Sequence, residues 1–308
     1  MAAVIEEGFI WVPVDYSSSD YKILIAGNDQ QPNILESEFT KAVAPEMGTF
    51  FIKLDNNSNE YTNKYVAGTT VELQYDLTGG ASTTRFKGFI EEIKKITDNS
   101  MGEVLELRGV HLSGELLDIN VSETYDGTAT ANAIIVDLVT KYYPSFTTTN
   151  VAASTFMPRI SWNLVPFWDA VSKIAELANF DLYVDDDKDF HFFPRSSVPN
   201  DNEAIIYGDN LIGGIEGLGT DSAEVKNRVI AQGDDGEGLP VLFTYEDLSS
   251  QTTYKVKELA IVDSDVRTVQ EAQDLATSGA LSSPDEVGKA ETMLLTTLNP
   301  GDTIFVRN

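Results

Sequence analysis

The chain has 308 residues, of which 49 are acidic and 21 are basic, so its formal net charge is −28. This balance argues against a nucleic-acid-binding surface and against attachment to an anionic membrane, because both require positive charge. The absence of cysteine excludes disulfides, thiolate nucleophiles and cysteine-ligated metals. Hydrophobic residues make up 42% of the sequence, too many for a disordered acidic chain, so we expect a folded protein.

The amino-terminal segment carries no targeting signal that we recognise. It lacks a basic stretch and contains Glu6 and Glu7, unlike a secretory signal. No apolar run approaches the roughly 20 residues that a membrane-spanning helix needs. We therefore expect no membrane anchor and a protein that is assembled inside a cell.

Residues 1–110 have the composition of β structure. Short apolar or alternating stretches are separated by turn-forming residues such as Thr78, Gly79 and Gly80. Residues 86–96 suit either a helix or a strand, and Gly88 together with the neighbouring strands favours a strand. The other predicted strands of this region are 9–14, 21–25, 49–54, 71–75 and 104–110.

Residues 111–200 change to an α/β pattern. Apolar residues at helical spacing predict one helix from Ile134 to Tyr142 and a second helix that starts at Pro166 and ends at Asn179. We expect an ion pair between Asp169 and Lys173 on the second helix. Residues 180–184 and 189–193 then predict a β-hairpin.

Residues 201–308 return to β structure, with predicted strands at 204–207, 225–232 and 241–245 and an acidic loop at 233–238. One helix interrupts them. Thr268 followed by Glu271 is a capping-box pattern, and Val269, Ala272 and Ala276 form its expected buried stripe.

A short pattern occurs near both ends of the chain. Residues 68–73 (GTTVEL) and 301–306 (GDTIFV) share a glycine, a threonine and alternating apolar residues. Each predicts a tight turn that leads into a strand. Two interpretations are open: chance similarity between strand openings, or a duplicated β-barrel.

Candidate catalytic and metal-binding motifs are weak. Asp185, Asp187 and Asp189 imitate a calcium loop, but Phe190 replaces the required glycine and Ser196 the required glutamate, which favours a solvated hairpin tip. Neither His111 nor His191 has a second histidine at metal-ligand spacing. The glycine-rich residues 213–219 match neither GxGxxG nor a P-loop. We therefore predict no catalytic, cofactor-binding or metal-binding residues, and no enzyme.

One carbohydrate-related feature stays open as an alternative. Trp162, Phe167 and Trp168 could form a sugar-stacking platform, although aromatic residues at the start of an amphipathic helix usually belong to a core. A carbohydrate-binding or carbohydrate-active protein would also need two carboxylates about 5–10 Å apart. Burial of the two tryptophans would remove the platform.

Several segments, taken in order, resemble the baseplate or tail-tip hub proteins of tailed viruses. This family includes the hub of contractile phages, its Mu-like counterpart and the N-terminal part of VgrG-type spikes. The resemblance covers roughly residues 84–308. It depends on FKGFI (86–90), VLELRGV (104–110), YDGTATANAII (125–135), VPFWDAVSKIAELANFDLYV (165–184), DFHFFP (189–194), VKNRVIAQG (225–233), DSDV (263–266) with Glu271-Ala272, and PGDTI (300–304).

The resemblance implies a mainly β fold with an α/β insert. Two tail-tube-like β-barrels, residues 1–110 and 201–308 with one inserted helix, would flank a small α/β domain at 111–200. Three chains would form a ring on a hexameric tail tube. The sequence shows no glycine-rich β-helix or lysozyme-like insert, so separate proteins would supply the spike or any cell-wall-cutting activity.

The expected function is that of a structural hub at the tail tip of the virion. Its expected partners are further copies of itself in a homotrimer, a distal tail or tube protein, a tape measure protein, and a tip fibre or spike protein. DNA would pass through an acid-lined lumen without specific binding, because a basic lumen would hold a duplex with one negative charge per roughly 1.7 Å. A distal tail or tube adaptor, forming a sixfold ring, is the alternative within the same machine.

The acidic residues are spread along the whole chain and do not form a tail. A lumen would account for acids on one face only. A high-salt environment accounts for acidic residues along the whole chain, because molar salt screens charges within about 3 Å. We therefore expect a virus of a halophilic host, with archaeal viruses of brines as the expected source.

Overall fold

A computed structural model describes residues 2–4, 9–11, 21–30, 33–75, 83–98, 102–220, 222–237, 239–264, 266–283, 286–292, 295 and 297–307. The described chain is mostly β structure with few helices, in agreement with the predicted mainly β class. Among the described residues, no helix is long and apolar enough to cross a membrane.

The first part of the chain forms an eight-stranded sheet that curls into a half-barrel. Its strands run in the order β2-β5-β6-β9-β8-β7-β3-β4. Strand β1 (Ala2–Val4) belongs to another sheet. The eight strands are β2 (Phe9–Trp11), β3 (Tyr21–Ile25), β4 (Asn28–Asp29), β5 (Ile34–Lys41), β6 (Thr49–Asp55), β7 (Thr70–Tyr75), β8 (Thr83–Asp98) and β9 (Gly102–His111).

The concave side of this sheet holds its own core. Alternate residues of the strands point inward, as period-2 strands require, and Phe39, Phe50 and Phe86 meet there with ring centroids 5.2–6.1 Å apart. The ambiguous segment 86–96 is a strand, as Gly88 indicated. Residues 12–14 of the first predicted strand and the turn 78–80 lie outside the described residues.

The middle of the chain combines short strands with two helices. A 3-10 helix, Leu112–Leu117, follows β9 directly. The sheet β12-β16-β15 packs with both helices around the largest core cluster. The elements are β10 (Asn120–Val121), β11 (Thr124–Asp126), α1 (Ala131–Tyr142), β12 (Thr147–Val151), β13 (Arg159–Ser161), β14 (Val165–Pro166), α2 (Phe167–Ala178), β15 (Phe180–Val184) and β16 (Asp189–Pro194).

Both predicted helices and the predicted hairpin are present. Helix α2 ends at Asn179, which adopts the left-handed conformation (φ 55°) that asparagine tolerates at a helix C-terminus. Pro166 precedes the helix rather than opening it. The predicted ion pair between Asp169 and Lys173 was wrong. Lys173 Nζ instead lies 3.0 Å from Oε2 of Glu176, three residues further along the helix.

The last part of the chain contributes to three sheets and contains two helices. Its sheets are β1-β23-β17, β18-β22 and β20-β19-β21. Strand β1 therefore joins the amino-terminal residues to the carboxyl-terminal sheet. The elements are β17 (Val198–Ile206), β18 (Leu211–Thr220), β19 (Arg228–Asp234), β20 (Pro240–Glu246), α3 (Leu248–Tyr254), β21 (Glu258–Val262), α4 (Val269–Ser278), β22 (Glu286–Thr292) and β23 (Asp302–Arg307).

Strand β19 begins three residues later than the predicted strand 225–232. Asn227 is fully buried, and its side-chain amide donates to Ser250 Oγ (3.1 Å) and the Lys255 carbonyl (2.8 Å), while its oxygen accepts from the Lys257 amide (2.8 Å). This asparagine therefore connects the start of β19 to the α3–β21 loop, and the strand ladder begins after it.

The capping box of helix α4 is present as predicted. The Glu271 amide donates to Thr268 Oγ1 (3.2 Å), and the Thr268 amide donates to the Glu271 carboxylate (2.8 Å). Ala272 and Ala276 are buried, but Val269 is 59% exposed, and Leu275 takes its place in the core. Val269 is the first helical residue, so it lies at the solvent-exposed end of the stripe.

The repeated glycine pattern corresponds to equivalent local geometry at both ends of the chain. Gly68 (φ +85°) and Gly301 (φ +80°) both adopt a conformation that other residues rarely reach. Each precedes a strand, β7 or β23, in which Val71 and Ile304 occupy the matching buried position. The two strands have different neighbours, β3 and β8 in one case and β1 and β17 in the other.

Candidate functional site: the junction of three chain regions

The acidic residues of the predicted calcium-like motif lie at the β15–β16 hairpin. Ligand atoms of Asp185, Asp189 and His191 lie within 4.8 Å of one another, whereas Asp187 is exposed and outside this group. Asp185 Oδ1 accepts from the amides of Asp187 and Asp189 (2.9 Å each), and His191 Nε2 lies 3.0 Å from Asp185 Oδ2. These groups hold the hairpin turn together.

Asp189 connects the hairpin to strand β12. Its Oδ1 accepts from the Thr147 hydroxyl and the Thr149 amide, and its Oδ2 accepts from the Asn150 backbone and side chain. Both oxygens are therefore engaged by protein donors, which is the arrangement of a structural aspartate. Asp189 is buried, so the expectation of a wholly solvated hairpin tip was wrong for this residue.

The aromatic residues of the proposed sugar platform are core residues. Trp162 is 8% exposed, Trp168 3% and Phe167 0%. The Trp168 indole N–H donates to the Pro45 carbonyl at 2.8 Å, which attaches α2 to the loop after β5. The carbohydrate alternative thereby loses the platform that it required.

The glycine-rich residues 213–219 lie within strand β18, which pairs antiparallel with β22. They are part of a sheet, and no loop that could surround a phosphate is formed there.

A buried charged cluster joins the first sheet to the α/β part of the chain. It consists of Lys41 at the end of β5, His111 at the end of β9 and Asp186 in the β15–β16 turn, and we call it the junction cluster. Lys41 Nζ lies 2.5 Å from Asp186 Oδ2, and His111 Nε2 lies 3.2 Å from Asp186 Oδ1. Their side chains are 4–13% exposed. Asp186 thus receives a partner on each oxygen.

The electrostatics of the junction cluster follow from this geometry. Burial alone would raise the pKa of Asp186, but the charge of Lys41 and the hydrogen bonds from His111 and Lys41 outweigh it and hold that pKa below its ordinary value. Burial lowers the pKa of Lys41, and Asp186 opposes that shift. Burial also lowers the pKa of His111, against the hydrogen bond to Asp186.

The hydrogen bonds of His111 fit a neutral imidazole. The Ser113 amide donates to Nδ1 at 3.2 Å, which caps the 3-10 helix, so Nδ1 acts as an acceptor. The proton then lies on Nε2, which donates to Asp186 Oδ1. Protonation of Nδ1 would place a second donor against the Ser113 amide.

We expect the stability of the chain to fall as His111 becomes protonated. Because its folded pKa lies below about 6.5, this contribution is complete above pH 6.5 and is lost as the pH falls from there toward the folded pKa. The slope is at most about 1.4 kcal/mol per pH unit. Denaturant unfolding of wild type and His111→Gln between pH 7.5 and 5 measures it. Equal slopes in both proteins would contradict the assignment.

The carboxyl-terminal region forms the third wall of the junction. Pro300 lines a cavity of about 10 Å³, the room of one water molecule, together with Lys41, His111 and Trp168. Asp302 accepts from the Asn200 side chain (3.0 Å) and the Asn299 amide (2.9 Å), which fixes the turn before β23. A side chain at Gly301 would meet the Phe193 ring at 2.8 Å, so only glycine permits this approach.

Sequence reasoning missed the junction cluster. Lys41 and Asp186 are 145 positions apart, and neither stands in a recognisable motif. Ser113 Oγ lies 3.3 Å from His111 Nδ1, but that nitrogen already accepts from the Ser113 amide, and Lys41, His111 and Asp186 satisfy one another. What the cluster can do is fix the orientation of the first sheet against the β15–β16 hairpin of the α/β part.

Comparisons with known proteins agree with the fold. No protein-family profile and no curated protein matches the chain. The solved structures similar to it include a 43 kDa tail protein of prophage MuSo2 from Shewanella oneidensis (TM-score 0.59, 16% identity, 84% of this chain and 77% of that one). A tail protein from Neisseria meningitidis MC58 has a TM-score of 0.57 and 15% identity, with 83% of this chain and 74% of that one covered. The prophage tail protein gp18 from Listeria monocytogenes EGD-e has a TM-score of 0.53 and 12% identity, with 86% of this chain and 79% of that one covered.

The likeness concerns the fold. It extends over more than four fifths of this chain and about three quarters of each tail protein. The chain therefore shares a fold with these three tail proteins over more than four fifths of its length.

Proposed function

We propose that this chain is a non-enzymatic structural protein of the tail of a tailed virus. The observation that carries the proposal is the shared fold over 84% of the chain with a prophage tail protein.

The finer proposal is a hub at the tail tip: a homotrimeric ring that links the tail tube or distal tail ring to tip fibres or a spike, with the tape measure protein as a further partner. Residues 1–110 and 201–308 would supply two tube-like barrels, and residues 111–200 the α/β domain between them. The equivalent glycine turns at Gly68 and Gly301 support a duplication, although the neighbours of β7 and β23 differ. The genome would pass through the ring.

Electron microscopy tests the proposal in two steps. Antibodies to the chain should label one end of the virion tail, and the purified assembly should show a threefold ring on a sixfold tube. Labelling of the head, or the absence of the chain from virions, would overturn the tail assignment. A sixfold ring would favour the distal tail or tube adaptor instead of the hub.

We further propose that the acidic surface is an adaptation to a high-salt host. The excess of acids extends over all three regions, with 17 acids and 9 bases in residues 1–110, 12 and 5 in 111–200, and 20 and 7 in 201–308. A lumen lining would need acids on one face only.

We expect the isolated protein to lose its tertiary structure as salt is lowered. Repulsion within a chain of net charge −28 extends about 30 Å at 0.01 M salt but only about 3 Å at 1 M. Near-ultraviolet circular dichroism during dialysis from molar to millimolar KCl measures the loss. A parallel dialysis in which an uncharged osmolyte replaces the KCl separates the screening of charges from the stabilisation that any cosolute excluded from the protein surface gives. If the protein stays fully folded in low salt, the acid-lined lumen for DNA is the only explanation left for the charge.

A further inference from the structure

The convex face of the first sheet carries a row of alternating charge. Glu36, Lys53, Glu106 and Lys94 stand opposite one another on β5, β6, β9 and β8. They point away from the core, which takes the intervening residues such as Leu54. The Lys94 side chain is 52% exposed and that of Glu106 15%. Three adjacent strands therefore present lysine, glutamate and lysine in one row.

The sheet β20-β19-β21 carries the reverse row on its uncovered face. Glu246, Arg228 and Glu258 stand in register on its three strands. Arg228 Nε lies 2.8 Å from Glu246 Oε1, and its Nη1 lies 3.5 Å from Glu258 Oε2. All three side chains are 38–48% exposed. Helix α4 covers the opposite face, where Val229 is buried.

The uncovered face of this second sheet is apolar beside the charged row. Gln232 lies four residues after Arg228 on β19, and Leu242 and Val262 stand on either side of it on the neighbouring strands. Leu242 and Val262 are 54% and 77% exposed. Two large apolar side chains exposed on the same sheet face favour a surface that is covered in an assembly.

The two rows are complementary position by position. Lys53, Glu106 and Lys94 can face Glu246, Arg228 and Glu258, because neighbouring strands in both sheets have the same spacing of about 4.8 Å. Both triplets read the same in either direction, so the match does not depend on which way the sheets run. Two sheets at the usual packing distance of about 10 Å bring such side chains together.

We propose that the convex face of the first sheet binds the uncovered face of β20-β19-β21 in a second copy of this chain. Two copies of a chain with net charge −28 repel each other, so their contact must lie where local charges balance. The contact joins two different surfaces of the same chain, and such contacts close into rings when the rotation allows it. This inference rests on the proposed ring-forming function and specifies its subunit interface.

A charge swap tests the interface. K53E/K94E makes one triplet entirely acidic, and E246K/E258K makes the other entirely basic. We expect each double variant to weaken self-association at least tenfold. The four substitutions combined place an entirely acidic row opposite an entirely basic row, so every opposed pair again has opposite signs, and association should return to within about threefold of wild type. K141E/K173E, on exposed helical lysines outside both rows, changes the net charge as K53E/K94E does and should assemble like wild type.

Mass photometry and sedimentation, at the lowest salt at which every variant keeps its circular dichroism spectrum, measure the association. Wild type that stays monomeric at all concentrations would overturn the proposed ring itself. Assembly of K53E/K94E equal to that of K141E/K173E would overturn the interface and leave the ring standing; it would fit a convex face that lines the lumen. The two double variants give independent results, so one that fails to fold leaves the other to decide.

Discussion

Asp186→Asn should destabilise the protein by about 3–5 kcal/mol, because it removes the carboxylate that lies 2.5 Å from the buried amine of Lys41. The two side chains are 9% and 13% exposed, so solvent screens them little. Denaturant unfolding in molar salt at pH 7 measures the loss. Because burial already lowers the pKa of Lys41, the penalty should shrink as the pH rises and the amine becomes neutral.

Two further variants separate the charge effect from other effects of the substitution. Asp187→Asn makes the same chemical change one residue away on an exposed side chain, and we expect a change within about 0.5 kcal/mol. Lys41→Met combined with Asp186→Asn removes both charges and keeps an acceptor for His111, so it should be more stable than Asp186→Asn alone. A loss below about 1 kcal/mol for Asp186→Asn would show that the junction cluster does not hold the regions together.

Phe167→Ala should cost about 3–5 kcal/mol, since it removes a fully buried ring from the largest core cluster. The Phe167 ring lies 4.8 Å from that of Tyr143 and 6.2 Å from that of Phe190, measured between centroids. It therefore joins α2 to the end of α1 and to β16. The cavity left behind cannot close without moving all three elements.

Leu164→Ala is the matched control for this substitution. Leu164 lies three residues before Phe167, and its side chain is 70% exposed, so its truncation should change the free energy of unfolding by no more than about 0.5 kcal/mol. Similar losses for the two variants would mean that the aromatic cluster does not carry the stability of the α/β part.

Much of the local structure follows from neighbouring residues and was predicted from them. The spacing of apolar residues in α1 and α2, the left-handed Asn179, the capping box at Thr268 and the glycine turn at Gly301 are local effects. Each depends on residues at most a few positions apart, which is the range over which sequence patterns are informative.

The sequence predictions that were wrong concern residues whose environment is set by partners distant in the sequence. Val269 fitted the apolar stripe of α4, but the position of the helix on its sheet exposes it. Strand β19 begins later than predicted because the side chain of Asn227 bonds to Ser250 of α3 and to Lys255 in the loop after α3. The aspartates of the calcium-like motif were expected at a solvated hairpin tip, but Asp189 is buried because three residues of β12 donate hydrogen bonds to it.

The sequence by itself determined the mainly β class, the positions of the helices and the anionic character of the protein. It did so because strand alternation, helix periodicity, capping and charge are all properties of adjacent residues. Only the tertiary structure decided that Asp186 pairs with Lys41, that β1 joins β23 and that two charged rows of opposite pattern stand on separate sheets. Those features depend on strand register and on tertiary packing, which join residues 18 positions apart, as in Arg228 and Glu246, as well as residues 145 positions apart, as in Lys41 and Asp186.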